Sequence, residues 1–321
     1  MKIKTFYLLL FVMFSIQLSA QNLEKIAQEI KDEGIQLYRS EMASWYGTDV
    51  FIENYKERDN IGGYFSYIKE DEVPTCVFYS KENKVIGTIS FPTSYEPRNS
   101  KLDLSVRDFT EVEKEYFTIR KAAQERLKTD TIFKFYNNVN YNIVPIINKN
   151  KEKKVYFLSG TNLNNLVLFG NDYLIDFNKD NSIKKVQKLH NSLLSFKIYD
   201  EKIGKTVSGV HSHVLEDWPF ITPTDICTLL LYQKFTNWES YTVVSKKYTS
   251  LWNAKSNHLM IMKTEVLEKI QEDQKKRHPE RYQEQEKINK KPQKRLLRFF
   301  YSLLTCEVKF TFYLFHKSFV L

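Results

Sequence analysis

The stretch of sequence that decides the fold is HSHVLEDWPFITPTDICTLLLYQ, residues 211–233. Its two histidines, His211 and His213, end a strand-like segment, KTVSGVHSH, and stand one residue apart. Because side chains alternate between the two faces of a strand, both imidazoles are expected on the same side. The following TPTDICTLLLYQ has the capping threonines, early proline and spaced apolar residues of a helix that begins near Asp225. The stretch therefore predicts a strand, a loop and a helix that bring two imidazoles and a carboxylate together.

Two imidazoles and one carboxylate are a ligand set that suits zinc, so we expect His211, His213 and Asp225 to bind Zn²⁺. Three protein ligands leave a fourth tetrahedral position for water, as in catalytic zinc sites. Zinc lowers the pKa of that water, and a nearby acidic side chain would move the proton. A bare His-x-His is also found without a metal, and that alternative stays open. His190, in KLHN, is expected to end a helix rather than to bind metal.

The segment GVHSH, followed by TPTDICTLLLYQ, resembles the zinc-site segment of the JAB1/MPN (JAMM) metallopeptidase family. The usual family pattern is His-Ser/Thr-His-Pro, a short loop, a serine, and an aspartate that opens a helix. The resemblance implies a JAMM-like mixed sheet with packed helices, zinc bound by His211, His213 and Asp225, and hydrolysis of a peptide or isopeptide bond. Thr222 stands in the place of the serine, where its hydroxyl would help to stabilise an oxyanion.

The chain departs from the family pattern in three ways around the histidines. Val214 replaces the usual proline, Thr222 replaces the serine, and the loop that joins His213 to Thr222 is one residue longer. The strand and the helix, rather than the loop, set the positions of the ligands. The longer loop is therefore compatible with the predicted site.

The general base of the family is a glutamate that lies upstream, at the start of a strand. The resemblance gives this role to Glu152, although Lys153 occupies the in-register place. Asp172 and Asp176, in the next hairpin, are the alternatives. If none of these carboxylates reaches the metal, the chain would be a non-catalytic binding or structural module on the same scaffold.

The patterns along the rest of the chain predict a mixed α/β fold. Residues 22–45 and 109–128 have helical periodicity, the second with a capping box at its start. Residues 63–91 and 140–177 are typical of short strands separated by polar turns. We therefore predict an α+β region of unknown role at 21–140, a JAMM-like metal-binding domain at 141–262, and a charged helix with an apolar-aromatic tail at 263–321.

Both ends of the chain are apolar. Residues 1–20 combine a basic start, a short apolar run and a small-residue exit, which is the layout of a secretory signal peptide. We expect export to the periplasm or outside the cell after cleavage of this segment. The alternative is an uncleaved membrane anchor, but the apolar run is short for a membrane span. Charged residues interrupt residues 298–321, so we expect an edge strand pair or a loosely packed tail there, and the alternative is a membrane span.

Composition excludes several classes of protein. A hydrophobic content of 42% and an aromatic content of 15% are enough for a substantial core, which excludes a disordered chain. Three scattered cysteines give no disulfide framework, although one disulfide is possible. Because the sequence has no Cys-x-x-Cys, a thiolate zinc site and a zinc deaminase are not expected. The net charge of +9 comes largely from a mixed-sign segment at 263–298 with a single aromatic residue. We therefore expect a peptide or protein substrate and no nucleic-acid partner.

Overall fold

The computed structural model describes residues 2–200, 204–205 and 208–279, and the side chains of residues 21–199 and 208–279. The predicted apolar-aromatic tail lies outside these residues. The backbone of residues 2–20 continues the first helix, but their side chains lie outside the described part, so the signal peptide and the export of the chain stay predictions. No helix in the described residues is both long enough and apolar enough to cross a membrane.

Helices and strands contribute comparably, so the predicted mixed α/β class is confirmed. The first helix is longer than predicted from residues 22–45, since it ends at Asn54. The second and third helices both begin with a capping box; the sequence predicted the box for the second helix and a capping threonine for the third. The helices of the described part are α1 (Lys2–Asn54), α2 (Glu111–Thr129), α3 (Pro223–Tyr232) and α4 (Thr264–Arg277).

The first two sheets are antiparallel and come from the middle of the chain. Sheet one has the order β1 (Ile61–Ile68), β2 (Pro74–Ser80), β3 (Val85–Ser90) and β4 (Lys101–Asp103). Sheet two has the order β5 (Asn140–Ile147), β6 (Lys153–Gly160), β8 (Tyr173–Phe177) and β9 (Ile183–Lys188). Two short antiparallel pairs accompany them: β7 (Leu166–Gly170) with β10 (Leu193–Lys197), and β11 (Tyr199–Asp200) with β12 (Gly204–Lys205).

The third sheet is mixed and carries the two histidines. It has the order β13 (Ser208–Ser212), β14 (Ser240–Val244), β15 (Tyr248–Asn253) and β16 (His258–Lys263). The first two of these strands are parallel and the others antiparallel. Parallel neighbours need a crossover connection, and α3 lies in that connection. The start of α3 can thereby come close to the end of β13.

Helix α1 packs against elements from all parts of the described chain. Ala27 belongs to the core of the third sheet, Leu37 packs with buried residues of the second sheet, and Phe51 packs with those of the first. The ranges 21–140 and 141–262 therefore share their cores through α1. Cys76 and Cys227 are buried in different clusters and form no disulfide.

Gly34 lets α1 approach the beginning of α3 very closely. A Cβ at this position would lie 2.6 Å from Cβ of Ile226 and 3.0 Å from the carbonyl oxygen of Pro223, which is closer than side chains tolerate. The absence of a side chain on Gly34 therefore sets the distance between the two helices. Because Asp225 lies in the same turn of α3, this contact also helps to position its carboxylate.

Candidate metal centre

Four buried side chains converge at the end of β13: His190, His211, His213 and Asp225. One potential ligand atom from each residue lies within 4.8 Å of the others. The Nε2 atoms of His211 and His213 are 2.8 Å apart. The Asp225 carboxylate lies 3.7 Å from Nε2 of His211, 3.5 Å from that of His213 and 3.2 Å from that of His190. This group can bind a metal ion.

The alternation of β13 and its pairing with β14 place the two predicted histidines side by side. His211 lies within β13, and the N–H of His213 donates to the Val244 carbonyl, which continues the pairing beyond the strand. Gly209 makes room for the ring of Tyr241 on the neighbouring strand, since a Cβ there would lie 2.3 Å from the ring. That ring carries the hydroxyl that contacts His211.

Each imidazole of the cluster has an oxygen atom next to its Nδ1, on the side away from the centre. Such outer partners fix the ring orientation of metal-binding histidines and leave Nε2 for the ion. The shared arrangement turns all three Nε2 atoms toward the Asp225 carboxylate. The partners are the Tyr241 hydroxyl for His211 (3.0 Å), the Trp218 carbonyl for His213 (3.1 Å) and the Asp172 carboxylate for His190 (3.4 Å).

The two oxygen atoms of the Asp225 carboxylate differ in their hydrogen bonds. The backbone N–H and the hydroxyl of Thr222 both donate to Oδ2 of Asp225 at 2.8 Å, while the hydroxyl accepts from the Asp225 N–H. Oδ1 is buried and accepts no hydrogen bond, and its charged neighbour is Nε2 of His190 at 3.2 Å. A buried carboxylate oxygen that accepts no hydrogen bond is costly unless a cation lies beside it, so this atom fits a metal ligand. The Thr222 hydroxyl donates to Asp225, and Thr222 therefore positions the carboxylate.

The groups of the cluster strongly affect each other's protonation. Burial is the main reason that the pKa of His211 falls to about 3, and the charges of the other two histidines lower it further. The attraction of Asp225 acts in the opposite direction but is smaller. Burial would also lower the pKa of His190, but Asp225 and Asp172 outweigh it and raise this pKa to about 10. The charges of His190 and His211 hold the pKa of Asp225 well below its usual range despite its burial. Neutral His211 and ionised Asp225 are the forms that bind metals.

His190 is the member of the cluster that sequence reasoning missed. It follows β9 rather than a helix, so the prediction that it ends a helix is wrong. Its approach to the other histidines depends on the path of the chain from β9 to β10, which no local periodicity encodes. The sequence does offer one clue, because Asp172 is one of the carboxylates that it assigns to the site. The structure shows that this aspartate is buried and lies next to His190.

The structure does not bring Glu152 to the cluster. This exposed residue lies in the turn before β6 and accepts a hydrogen bond from the Asn148 side chain at 2.6 Å. The other end of β6 is near the cluster, because the Ser159 N–H donates to Asp172. At ~3.3 Å per residue, the length of β6 separates Glu152 from the histidines by roughly 20 Å. Asp176 also points elsewhere, since its carboxylate accepts from Gln187.

A cavity of about 140 Å³ opens beside the cluster. Residues 189–192 and 211–215 form most of its wall, and they include all three histidines. Asn191, Ser212 and Val214 are exposed, so the cavity reaches the surface of the protein. A ligand can therefore approach the histidines from this side.

Comparison with models of protein families, with curated proteins and with solved structures found no match to this chain. The class of site therefore follows from its geometry. It is a buried group of three histidines and one aspartate that can bind a metal ion next to an open cavity.

Tyr241→Phe is expected to weaken metal binding without removing a ligand. The variant loses the hydroxyl next to Nδ1 of His211, so the imidazole is no longer held in place. Loss of such an outer partner lowers metal affinity by roughly 10- to 100-fold. Competition titration with a zinc chelator measures the change.

Tyr156→Phe is the matched control for this prediction. Tyr156 is also a buried tyrosine, but its hydroxyl donates to Glu33. Its loss is expected to lower stability by about 1 kcal/mol and to leave the zinc affinity unchanged. Equal zinc affinities for Tyr241→Phe and the wild type would contradict the assigned orientation of His211.

Proposed function

We propose that this chain is an exported, zinc-dependent hydrolase of JAMM type that cleaves a peptide or isopeptide bond. His211, His213 and Asp225 are the proposed zinc ligands. The observation that carries the proposal is the convergence of these side chains on one point beside a cavity, with Oδ1 of Asp225 buried and accepting no hydrogen bond. The nature of the bond that is cleaved rests on the resemblance of residues 211–233 to the JAMM zinc-site segment.

Zinc is the proposed ion because of the donor set and its spacing. Imidazole nitrogens and carboxylate oxygens suit zinc, and ligands at 2.0–2.1 Å in a tetrahedron are about 3.3 Å apart. The contacts between the ligand atoms range from 2.8 Å between the two histidines to 3.7 Å between His211 and Asp225. A zinc ion therefore needs only small side-chain adjustments.

The residues of the chain have distinct tasks in the proposed reaction. When bound, zinc would polarise the substrate carbonyl and favour ionisation of water. Tyr241 and the Trp218 carbonyl orient the two histidines, and Thr222 holds the carboxylate of Asp225. The cavity would admit the substrate on the side of the histidines.

The second candidate function is a non-catalytic module whose metal ion stabilises the fold. His190 favours it, because its Nε2 lies 3.2 Å from Oδ1 of Asp225 and, once a metal ion displaces its proton, can serve as a fourth protein ligand. Four protein ligands fill a tetrahedral shell, as in structural zinc sites. The number of imidazoles on the bound ion separates the two functions: two leave a position open, and three with Asp225 close it.

Hydrolysis of a peptide library by the zinc-loaded chain tests the proposed function. The wild type is expected to release fragments, detected by mass spectrometry, and His211→Ala is expected to release none because it lacks a ligand. Glu152→Gln is a suitable positive control, since the exposed Glu152 is remote from the cluster and its substitution should leave the rate unchanged. Stoichiometric zinc without any cleavage by the wild type would reject the hydrolase in favour of the non-catalytic module.

A further inference from the structure

Strand β13 lies at the edge of the third sheet. It pairs with β14 on one side, and no strand of the described residues pairs with it on the other. The N–H of His213 donates to the Val244 carbonyl and therefore points toward β14. Because the main-chain groups of successive residues point to opposite sides of a strand, those of His211 also point toward β14. The N–H and C=O groups of Val210 and Ser212 consequently point to the free edge.

This edge is open to another extended chain. None of the four main-chain groups of Val210 and Ser212 is hydrogen-bonded to any other described residue beyond β13. Proteins usually protect such an edge with lysines or a proline. The free edge strand of the second sheet, β9, has three lysines in IKKVQK, whereas β13, SGVHS, has neither a lysine nor a proline. The edge of β13 therefore lacks the usual protection against pairing.

The cavity beside the histidine cluster runs along this edge. Residues 211–215 all line the cavity, and the first three of them follow the pairing with β14. A cavity over one face of a strand would be lined by alternate residues only, since successive side chains point to opposite faces. Lining by consecutive residues places the cavity at the edge of the chain. Ser212 and Val214 are exposed there, so the edge is accessible from the surface.

We propose that an extended peptide binds in the cavity as an added strand, paired through its main chain with Val210 and Ser212. This inference rests on the proposed function, because it takes the ligand to be a peptide. The added strand lies one strand spacing, ~4.8 Å, from the strand that carries His211 and His213. Main-chain pairing depends on an extended conformation more than on side chains. We therefore expect the site to accept extended segments of many sequences and to reject helical ones.

A second copy of the chain is the other occupant that a free edge can accept. Pairing between the edges of two sheets needs open space for the rest of the incoming sheet. Beside the end of β13, residues 189–192 form the second wall of the cavity and take up part of this space. A single extended chain needs only one strand spacing, so the second wall favours a peptide.

Equilibrium dialysis of three peptide libraries against the zinc-loaded protein tests this proposal. All contain random octapeptides with blocked ends: one has an unmodified backbone, one has N-methyl groups on every second amide, and one on every amide. The first two should bind alike, because methylation of alternate amides leaves one edge of an extended peptide intact. The fully methylated library should bind at least roughly tenfold more weakly. Equal binding of all three, weak binding of the half-methylated library, or no binding of the unmodified one would overturn the proposal.

Val210→Pro tests the edge itself. The variant loses the outward N–H of Val210 but no hydrogen bond to β14, and proline is tolerated at such positions of edge strands. It should retain zinc and bind the unmodified library roughly fivefold more weakly than the wild type. If the variant loses zinc, the library comparison on the wild type still decides. Unchanged binding by a zinc-loaded Val210→Pro would overturn the proposal.

Val186→Pro is the matched control, at the free edge of β9. The N–H of Leu189 donates to the Asp172 carbonyl, so the N–H of Val186, three residues earlier, points away from β8. Both valines are half-buried residues of edge strands, but Val186 does not line the cavity. Its variant should bind the unmodified library like the wild type. An equal loss of binding in both proline variants would show that the edge of β13 is not specific, and would overturn the proposal.

Cleavage and molecular mass separate the remaining outcomes. Wild-type rates of cleavage by Val210→Pro would reject the added strand and leave the proposed hydrolase intact. Selective binding of the unmodified and half-methylated libraries without cleavage would support the added strand and reject the hydrolase. Sedimentation equilibrium should find a monomer. A dimer that dissociates in Val210→Pro would assign the edge of β13 to a second copy of the chain and overturn the proposal.

Discussion

We expect zinc to stabilise this protein and His211→Ala to abolish that stabilisation. A ligand that binds only the folded state stabilises it by about 4 kcal/mol at 1,000 times its dissociation constant. For the wild type this corresponds to a rise in Tm on the order of 10 °C. The variant lacks one of the converging imidazoles, so its Tm should be the same with zinc and with a chelator. Thermal unfolding followed by circular dichroism under both conditions measures the difference.

His258→Ala is the matched control for this experiment. His258 begins β16, is exposed and takes no part in the cluster, so its variant should respond to zinc like the wild type. A comparison of two histidine variants removes effects of zinc on histidines at the surface. If His211→Ala and His258→Ala gained the same stability from zinc, the ion would bind outside the cluster.

Glu41→Gln is expected to stabilise the protein at neutral and alkaline pH. Glu41 is a buried residue of α1 whose carboxylate accepts a hydrogen bond from Asn142, and its burial raises its pKa from 4.5 to about 7. The folded state therefore holds the proton more tightly than the unfolded state. The resulting stability is complete below pH 4.5 and is lost as the pH rises to about 7. The loss amounts to roughly 3 kcal/mol, which glutamine avoids because it stays neutral.

Urea unfolding of both proteins between pH 4 and pH 8 measures this effect. The free energy of unfolding of Glu41→Gln, relative to the wild type, should increase by about 3 kcal/mol over this range. Glu57→Gln, at an exposed position, should show no such increase and serves as the control. A constant difference between Glu41→Gln and the wild type across the range would show that Glu41 keeps its usual pKa in the folded protein.

The parts of the fold and the site that could be predicted from the sequence are those with local causes. Alternation along β13 predicted that His211 and His213 face one way, and the structure places their Nε2 atoms together. The capping threonine and the proline predicted the start of α3, which is where Asp225 lies. In each case the deciding interaction joins residues that are close in the sequence.

The parts that could not be predicted depend on contacts between distant segments. His190 joins the cluster only because the chain between β9 and β10 passes the end of β13, and a lone histidine carries no sign of this. The place of Glu152 before a strand suggests the general base, but it is the far end of that strand, at Ser159, that lies near the cluster, and Glu152 stays in the distal turn. The close contact of Gly34 with Ile226 likewise joins helices far apart in the sequence.

The metal content of the purified wild-type chain tests the central claim most directly. After equilibration with zinc and removal of the excess, inductively coupled plasma mass spectrometry should find about one zinc per chain. X-ray absorption on the same sample should show nitrogen and oxygen ligands at about 2.0–2.1 Å, with imidazoles among them. A chain that retains no zinc, or zinc bound through sulfur, would contradict the claim that the histidine–aspartate cluster is a metal centre.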